Sequence, residues 1–190
     1  MGAIAFSTLE VAALVGLDEG RIRKDVEHGL FEAPRFNVAD LVYFRLLALL
    51  GLSVSVDDRR RLHDLVEVAM RKRPAPRTIA LSPVTEVKLG DVATDMQHKL
   101  ERFSAWKKKL VETPDILGGE PVFPKSRTSV RHIGGLLLRG VPEDEVREDY
   151  PHLTDEDFEF AKLYAKAYPK MGRPRETAPR RESLAKGHPR

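Results

Sequence analysis

Residues 113–169 read TPDILGGEPVFPKSRTSVRHIGGLLLRGVPEDEVREDYPHLTDEDFEFAKLYAKAYP, and their punctuation decides the fold. A Gly118-Gly119 turn leads into a short apolar run, Pro121-Val122-Phe123. The basic turn Lys125-Ser126-Arg127 and a second extended run, Thr128-Ser129-Val130, follow. Three short helical patterns come next, split by Gly140-Val141-Pro142 and by Tyr150-Pro151-His152. The first, Arg131 to Arg139, turns Ile133, Leu136 and Leu137 inward. Pro142 starts the second, Glu143 to Tyr150, at a position where a missing N–H costs nothing. Thr154 caps the third, with Asp157 at capping-box spacing, and Phe158, Ala161, Leu163 and Tyr164 are its expected core face.

The ordered pattern Ile116 to Val122, Arg127, Val130-Arg131, Gly140 and Tyr150-Pro151-His152-Leu153-Thr154 resembles a small domain, originally of unknown function, found in VapB-type antitoxins of bacterial toxin–antitoxin pairs. That family opens on Ile-Leu-Gly-Gly-Lys/Glu-Pro-Val and places an Arg four or five residues on. A Val-Arg helix start, a leucine-rich helix, a Gly and a second helix closed by Tyr-Pro-x-Leu complete its pattern. This chain departs at Lys125, where the family usually has Gly, and at Ser129, where it usually has Pro. The resemblance implies a trihelical, winged-helix-related module over residues 113–169, whose two short strands could pair across a dimer. It also implies a partner, a PIN-like ribonuclease toxin with a carboxylate metal site.

The module is a helix-turn-helix in outline, yet it is not expected to read DNA. Its second helix carries Glu143, Asp144, Glu145, Glu148 and Asp149 against Arg147 alone, and that charge opposes phosphate. Asp155, Glu156 and Asp157 read as a capping run at a helix start rather than as a metal or acid–base cluster.

The head of the chain carries the opposite signal. Phe6 to Leu17 predicts a helix with Ser7 as N-cap and Glu10 at capping-box spacing. Leu9, Ala12 and Ala13, with Val11 and Leu14, form its expected buried face. Gly16-Leu17 makes a tight exit, Asp18 caps a second helix reaching about His28, and Gly29 ends it. Two short helices about so short a turn form a helix-turn-helix. Arg21, Arg23 and Lys24 lie near the start of the second helix, where such an element meets the major groove. Leu30 to Phe36 suits a small wing bearing Arg35. Asn37 or Asp40 then starts an apolar helix, Leu41 to Leu50, and Ser55 or Asp57 a basic amphipathic helix that ends at Arg73 before Pro74. Arg59-Arg60-Arg61 and Arg71-Lys72-Arg73 read first as solvated faces, with phosphate contact as the alternative. Phe6 to Ala12, Gly16-Leu17, Arg21-Ile22-Arg23 and Gly29-Leu30 are together similar to the winged-helix head of MerR-type regulators. The likeness covers roughly the first 70 residues, without the aromatic pair after the Arg or the longer basic wing of those regulators.

Between head and module, Arg77 to Leu89 predicts a β-hairpin turning at Ser82-Pro83. Asp91 to Val111 predicts a long helix with Val92, Met96, Leu100, Phe103, Trp106 and Leu110 on one stripe. The stripe suits packing, including packing against a second copy of the chain, better than a cofactor box.

The last stretch, Lys170 to Arg190, holds seven Lys/Arg against Glu176 and Glu182, in a chain whose net charge is +3. Almost nothing in it is apolar, so it is expected to be a disordered basic tail on a mildly acidic body. By the resemblance, Lys170, Arg173, Arg175, Arg180 and Arg181 are the toxin-binding candidates, because an Arg entering a carboxylate cluster forms bidentate charge-assisted pairs.

With 190 residues the chain suits one compact domain or two small ones. The absence of Cys rules out disulfides and thiolate chemistry. No apolar run approaches the roughly 20 residues that span a bilayer, and the start MGAIAFSTLEVAAL lacks a basic leader, so a cytoplasmic location is expected. His28, His63, His98, His132, His152 and His188 show no ligand spacing, and no phosphate loop, Ser–His–Asp order or HExxH is present. Neither an enzyme nor a cofactor or metal is expected.

The expectation is therefore a mostly α chain: a winged helix-turn-helix DNA-binding head over 1–74, a β-hairpin and linking helix over 75–112, the trihelical module over 113–169, and the basic tail over 170–190. Its expected role is that of an antitoxin that neutralises a PIN-like ribonuclease and represses its own operon, as a homodimer or larger assembly on operator DNA. A MerR-like regulator answering a small organic ligand, with no toxin, is the alternative. A purely structural adaptor is a third.

Overall fold

A computed structural model of the chain describes residues 6–31, 35–51 and 55–169. These residues are mostly helical, with eight α-helices and a two-stranded antiparallel hairpin. In the head, α1 (Thr8–Val15) starts with the full capping box: Ser7 Oγ accepts from the Glu10 N–H, and Glu10 accepts from the Ser7 N–H at 2.9 Å. Gly16, at φ 78°, closes α1 in the left-handed conformation that favours glycine. Asp18 then caps α2 (Glu19–Glu27), Asn37 and Asp40 cap α3 (Val38–Leu50) reciprocally, and Ser55 caps α4 (Val56–Arg71).

Val11, Leu14, Ile22, Leu41, Phe44 and Val66 fill the head's core. Phe31 and Phe36 flank the expected wing, whose residues 32–34 lie outside the described residues. Both rings turn inward, Phe31 onto Phe44 at 4.8 Å and onto His63 at 4.6 Å between centroids. Two polar links fasten α4 to this core. Arg59 Nε lies 2.9 Å from Asp25 Oδ1 and the Tyr43 hydroxyl donates to Asp25 Oδ2 at 3.0 Å, while His63 Nε2 lies 2.9 Å from Asp40 Oδ1. Asp25 is fully buried and Arg59 nearly so. Arg59 therefore belongs to the interior and not to the solvated face its neighbours suggested, because it neutralises a carboxylate that α2 turns inward.

The hairpin pairs β1 (Ile79–Ser82) with β2 (Thr85–Val87), Ile79 opposite Val87. The long helix α5 (Leu89–Lys109) begins directly after it, two residues before the expected start. Met96, Leu100, Phe103 and Trp106 are buried as the stripe predicted, but within one chain: α5 packs on α3 and α1. The chain's own helices thus cover these four residues of the stripe.

The two extended runs of the module pair within the chain. Val122 bridges both Val111 and Ser129, and the Phe123 N–H donates to the Thr128 carbonyl at 3.1 Å. Lys125 sits at φ 58°, a left-handed turn position like the glycine that the resemblance expects there. Ser129 accepts from the His132 N–H as N-cap of α6 (Val130–Leu138). Two further helices, α7 (Glu143–Asp149) and α8 (Asp155–Ala167), complete the module. Leu136, Leu137 and Leu163 are only half-buried, whereas Phe160, not expected in the core, is buried against Phe103 and Trp106 at 5.8 and 5.2 Å. That contact exists because α8 packs on α6 with one face and on α1 and α5 with another.

Glu10 joins the three. Its carboxylate is buried and accepts from Lys107 Nζ of α5 at 2.8 Å and from the Tyr168 hydroxyl just past α8, while Lys107 Nζ also reaches the Tyr168 oxygen at 2.5 Å. Burial alone would raise the Glu10 pKa. The hydrogen bonds from Lys107, Tyr168 and the Ser7 N–H outweigh it, and the carboxyl is held below its usual range.

Two outcomes are expected. A Cβ on Gly134 would lie 2.0 Å from the Ala161 carbonyl oxygen and 2.6 Å from Ala165 Cβ. Gly134→Ala must force α6 and α8 apart and should lower stability by about 2 kcal/mol or more in urea unfolding, whereas Gly135→Ala, with only the flexible end of Arg139 nearby, should be close to neutral. Glu10 has a depressed folded pKa, so its contribution is complete above the unfolded value and is lost as pH falls through the folded one. Glu10→Gln should be less stable than wild type at neutral pH, and the gap measured by thermal unfolding should close as the pH drops below about 4.

Candidate nucleic-acid interface

The inward face of α2 is set by Ile22, Asp25 and the half-buried Val26. A helical period then leaves Gly20, Arg23, Lys24 and Glu27 outward, and all four are exposed. Arg21 is half-buried beside them, close enough to Tyr43 for its charge to act on that hydroxyl. There burial first, and then the Asp25 carboxylate, push the pKa up. The structure thus brings Arg21, Arg23 and Lys24 onto one helix. Arg35 is exposed on the segment leading into α3.

Arg23 does not stand alone. Its Nη2 donates to Glu19 Oε1 at 2.8 Å, one turn earlier, and Thr8 Oγ1 donates to the same oxygen at 2.9 Å. The Arg23 hydrogen bond, then that from Thr8, hold the Glu19 carboxyl below its usual range. Arg23 therefore meets a phosphate only by exchanging or sharing Glu19. The i,i+4 spacing of Glu19 and Arg23 was visible in the sequence and carries this restraint.

Arg60, read from sequence as a solvated position with phosphate contact as the alternative, lies 3.7 Å from Asp57 Oδ1. It is exposed on α4, with Nη2 3.5 Å from the His28 carbonyl at the end of α2. The link between Arg59 and Asp25, invisible in a linear scan, sets α4 so that Arg60 reaches that end. Charge is arranged otherwise in the module. Glu143 pairs with Arg147 at 3.2 Å and with Lys162 at 2.9 Å, and Asp144, Glu145, Glu148 and Asp149 remain exposed. That surface repels a phosphate backbone.

Lys170, Arg173, Arg175, Arg180 and Arg181 lie outside the described residues. Their point of departure is defined: Tyr168, two residues before Lys170, is anchored on Glu10 and Lys107. Of the α5 stripe, only Trp106 and Leu110 reach a cleft, of about 400 Å³, shared with Phe123, Lys125, His152 and Phe160. The His152 ring is positioned there by Ser126 Oγ and Thr128 Oγ1, each 3.3 Å from Nε2. Lys109, Glu156 and Asp157 also line the cleft, so it carries charge of both signs. No helix among the described residues is long and apolar enough to cross a membrane.

Comparison with known proteins places a likeness on the module. The uncharacterized protein y4eO of Sinorhizobium fredii (strain NBRC 101917 / NGR234) is 32% identical over 78 residues, which cover 41% of this chain and 35% of that protein. The chain thus spans about a third of the length of this curated relative. No solved structure matches the chain. Residues 110–165, from the end of α5 through most of α8, match the model of a family described as a protein of unknown function, DUF433.

Proposed function

We propose that the chain is a DNA-binding antitoxin: its head binds operator DNA through α2, and its tail neutralises a PIN-like ribonuclease. The observation that carries the DNA half is the α1–α2 pair itself. Its second helix is fixed from behind by Asp25 and offers Arg21, Arg23 and Lys24 in front, with Arg35 as a further contact. The toxin half rests on the resemblance of Ile116–Thr154 to VapB-type antitoxins and on the cations of Lys170, Arg173, Arg175, Arg180 and Arg181. A basic segment bound over a carboxylate-lined metal site would block it. Symmetric pairing of chains would set two α2 helices one duplex turn apart on a palindromic operator.

The cleft beside Trp106 and His152 favours a second reading, a regulator that answers a small organic ligand and has no toxin.

The test is co-expression with the product of the adjacent reading frame, using the full chain, a chain ending at Pro169, and Arg21→Ala with Arg23→Ala. The full chain should co-purify with a silenced ribonuclease, and truncation should restore cleavage. The double substitution should weaken binding to the upstream duplex by about tenfold or more while toxin inhibition stays intact. Full inhibition by the truncated chain would remove the tail from the mechanism. Unchanged duplex affinity in the double variant would move the DNA site off α2, and absence of any complex would leave the ligand-responsive regulator.

A further inference from the structure

The β1–β2 hairpin bears a feature that folding does not use. Val84, at its tip, is 92% exposed, and Pro83 beside it is exposed as well. The tip is held in shape, since the Val84 N–H donates to Ser82 Oγ at 3.3 Å and the Gly90 N–H closes the stem on the Arg77 carbonyl at 2.9 Å. Lys72, Arg77 and Lys88 stand exposed around the stem, and none has an ion-pair or side-chain hydrogen-bond partner among the described residues. Arg71 is bound to Glu67, and Arg73 closes the end of α4 by donating to the Met70 and Lys72 carbonyls at 2.9 Å. Glu86 is the one acid on the two strands. A rigid apolar tip on a cationic stem suits a polyanion with an apolar interior, which describes a nucleic-acid duplex.

The placement of the hairpin adds a length. α4 touches α2 at its start, through Arg59 and Arg60, and touches β1 at its end. From Arg59 to Arg71 the helix rises about 18 Å. Half a turn of B-form DNA is about 17 Å, the step from one groove to the next along one face of the duplex. Arg60, Arg61, Val68, Arg71 and Lys72 are exposed along that span, interrupted by Asp64.

We propose that the β1–β2 hairpin is a second nucleic-acid contact: with α2 in a major groove, Pro83 and Val84 enter the minor groove half a turn away, and Lys72, Arg77 and Lys88 hold the flanking phosphates. The placement rests on the reading of α2 as a DNA-binding helix, but the hairpin contact is measured separately from it. The apolar tip acts as a wedge at a base step, and the cations bind any sequence.

The experiment is fluorescence anisotropy of the full chain on a labelled mixed-sequence duplex over a salt series. The variants are Lys72→Ala with Arg77→Ala and Lys88→Ala, Val84→Ser alone, and Arg21→Ala with Arg23→Ala, each checked for an unchanged far-UV spectrum. The triple variant should lose about tenfold or more in affinity, and its salt slope should fall by about two to three. Val84→Ser should lose severalfold with the slope unchanged, and netropsin, a minor-groove ligand, should weaken wild type far more than Val84→Ser. If both hairpin variants bind like wild type while the α2 variant loses affinity, the hairpin contact is overturned and the reading of α2 stands. Loss in the hairpin variants with no loss in the α2 variant establishes the contact and removes its proposed companion. A wild-type chain that binds no duplex overturns both.

Discussion

A single buried carboxylate ties this chain together. Glu10 belongs by sequence to the first turn of α1, where a capping box asks only that one oxygen reach back to the Ser7 N–H. The other oxygen points the opposite way and accepts from Lys107 and Tyr168, far along the chain. A carboxylate withdrawn from water is tolerated only with such donors. The positions of α5 and of the end of α8 are therefore set by a charge that the helix start already required. Around this point α1, α5 and α8 share one apolar cluster, in which Phe160 packs on Phe103 and Trp106. Head and module therefore touch directly, through α1 and α8.

The second buried carboxylate, Asp25, works within the head and divides α2 into two faces. Its pairing with Arg59 and Tyr43 presses one face onto α3 and α4, and the other is left to Arg23 and Lys24. Replacing either member would leave the other charge buried and unpaired, a loss of about 3–5 kcal/mol. Such a pair fixes orientation more than it adds stability. It holds the basic face of α2 in one rotational setting relative to α4, and through α4 relative to the hairpin.

The helices were legible in the sequence because their signals are local. Ser7 with Glu10, Asn37, and Thr154 with Asp157 lie three residues or fewer from the N–H groups they cap, so spacing alone finds them. The stripe from Met96 to Trp106 was legible for the same reason, but what covers it was not: a periodic pattern states that a face is buried and is silent about its partner. Arg59 reads as surface in a run of three arginines, and Phe160 lies off the stripe that a lone helix would bury. Both have long-range partners that no local pattern encodes. Lys125 is an intermediate case. A turn could be read from the basic run, and its left-handed backbone follows from the resemblance to a pattern with glycine there, not from lysine itself. Of the candidate site, the residue types on α2 were legible. The Glu19 restraint on Arg23 lay in the spacing and was passed over, and the contribution of Arg60 needed the fold.

The distribution of charge follows from these same constraints. Acidic residues gather on α7 and at the start of α8, where they favour helix N-termini electrostatically and where Arg147 and Lys162 offset only Glu143 and Asp155. Exposed cations stand on the outer face of α2 and around the hairpin, while on α4 Asp57, Asp58, Asp64 and Glu67 balance the four arginines. The Glu10 junction joins head and module in one body. The family likeness, confined to residues 110–165, covers the acidic side. The exposed cations of α2 and of the hairpin lie outside it.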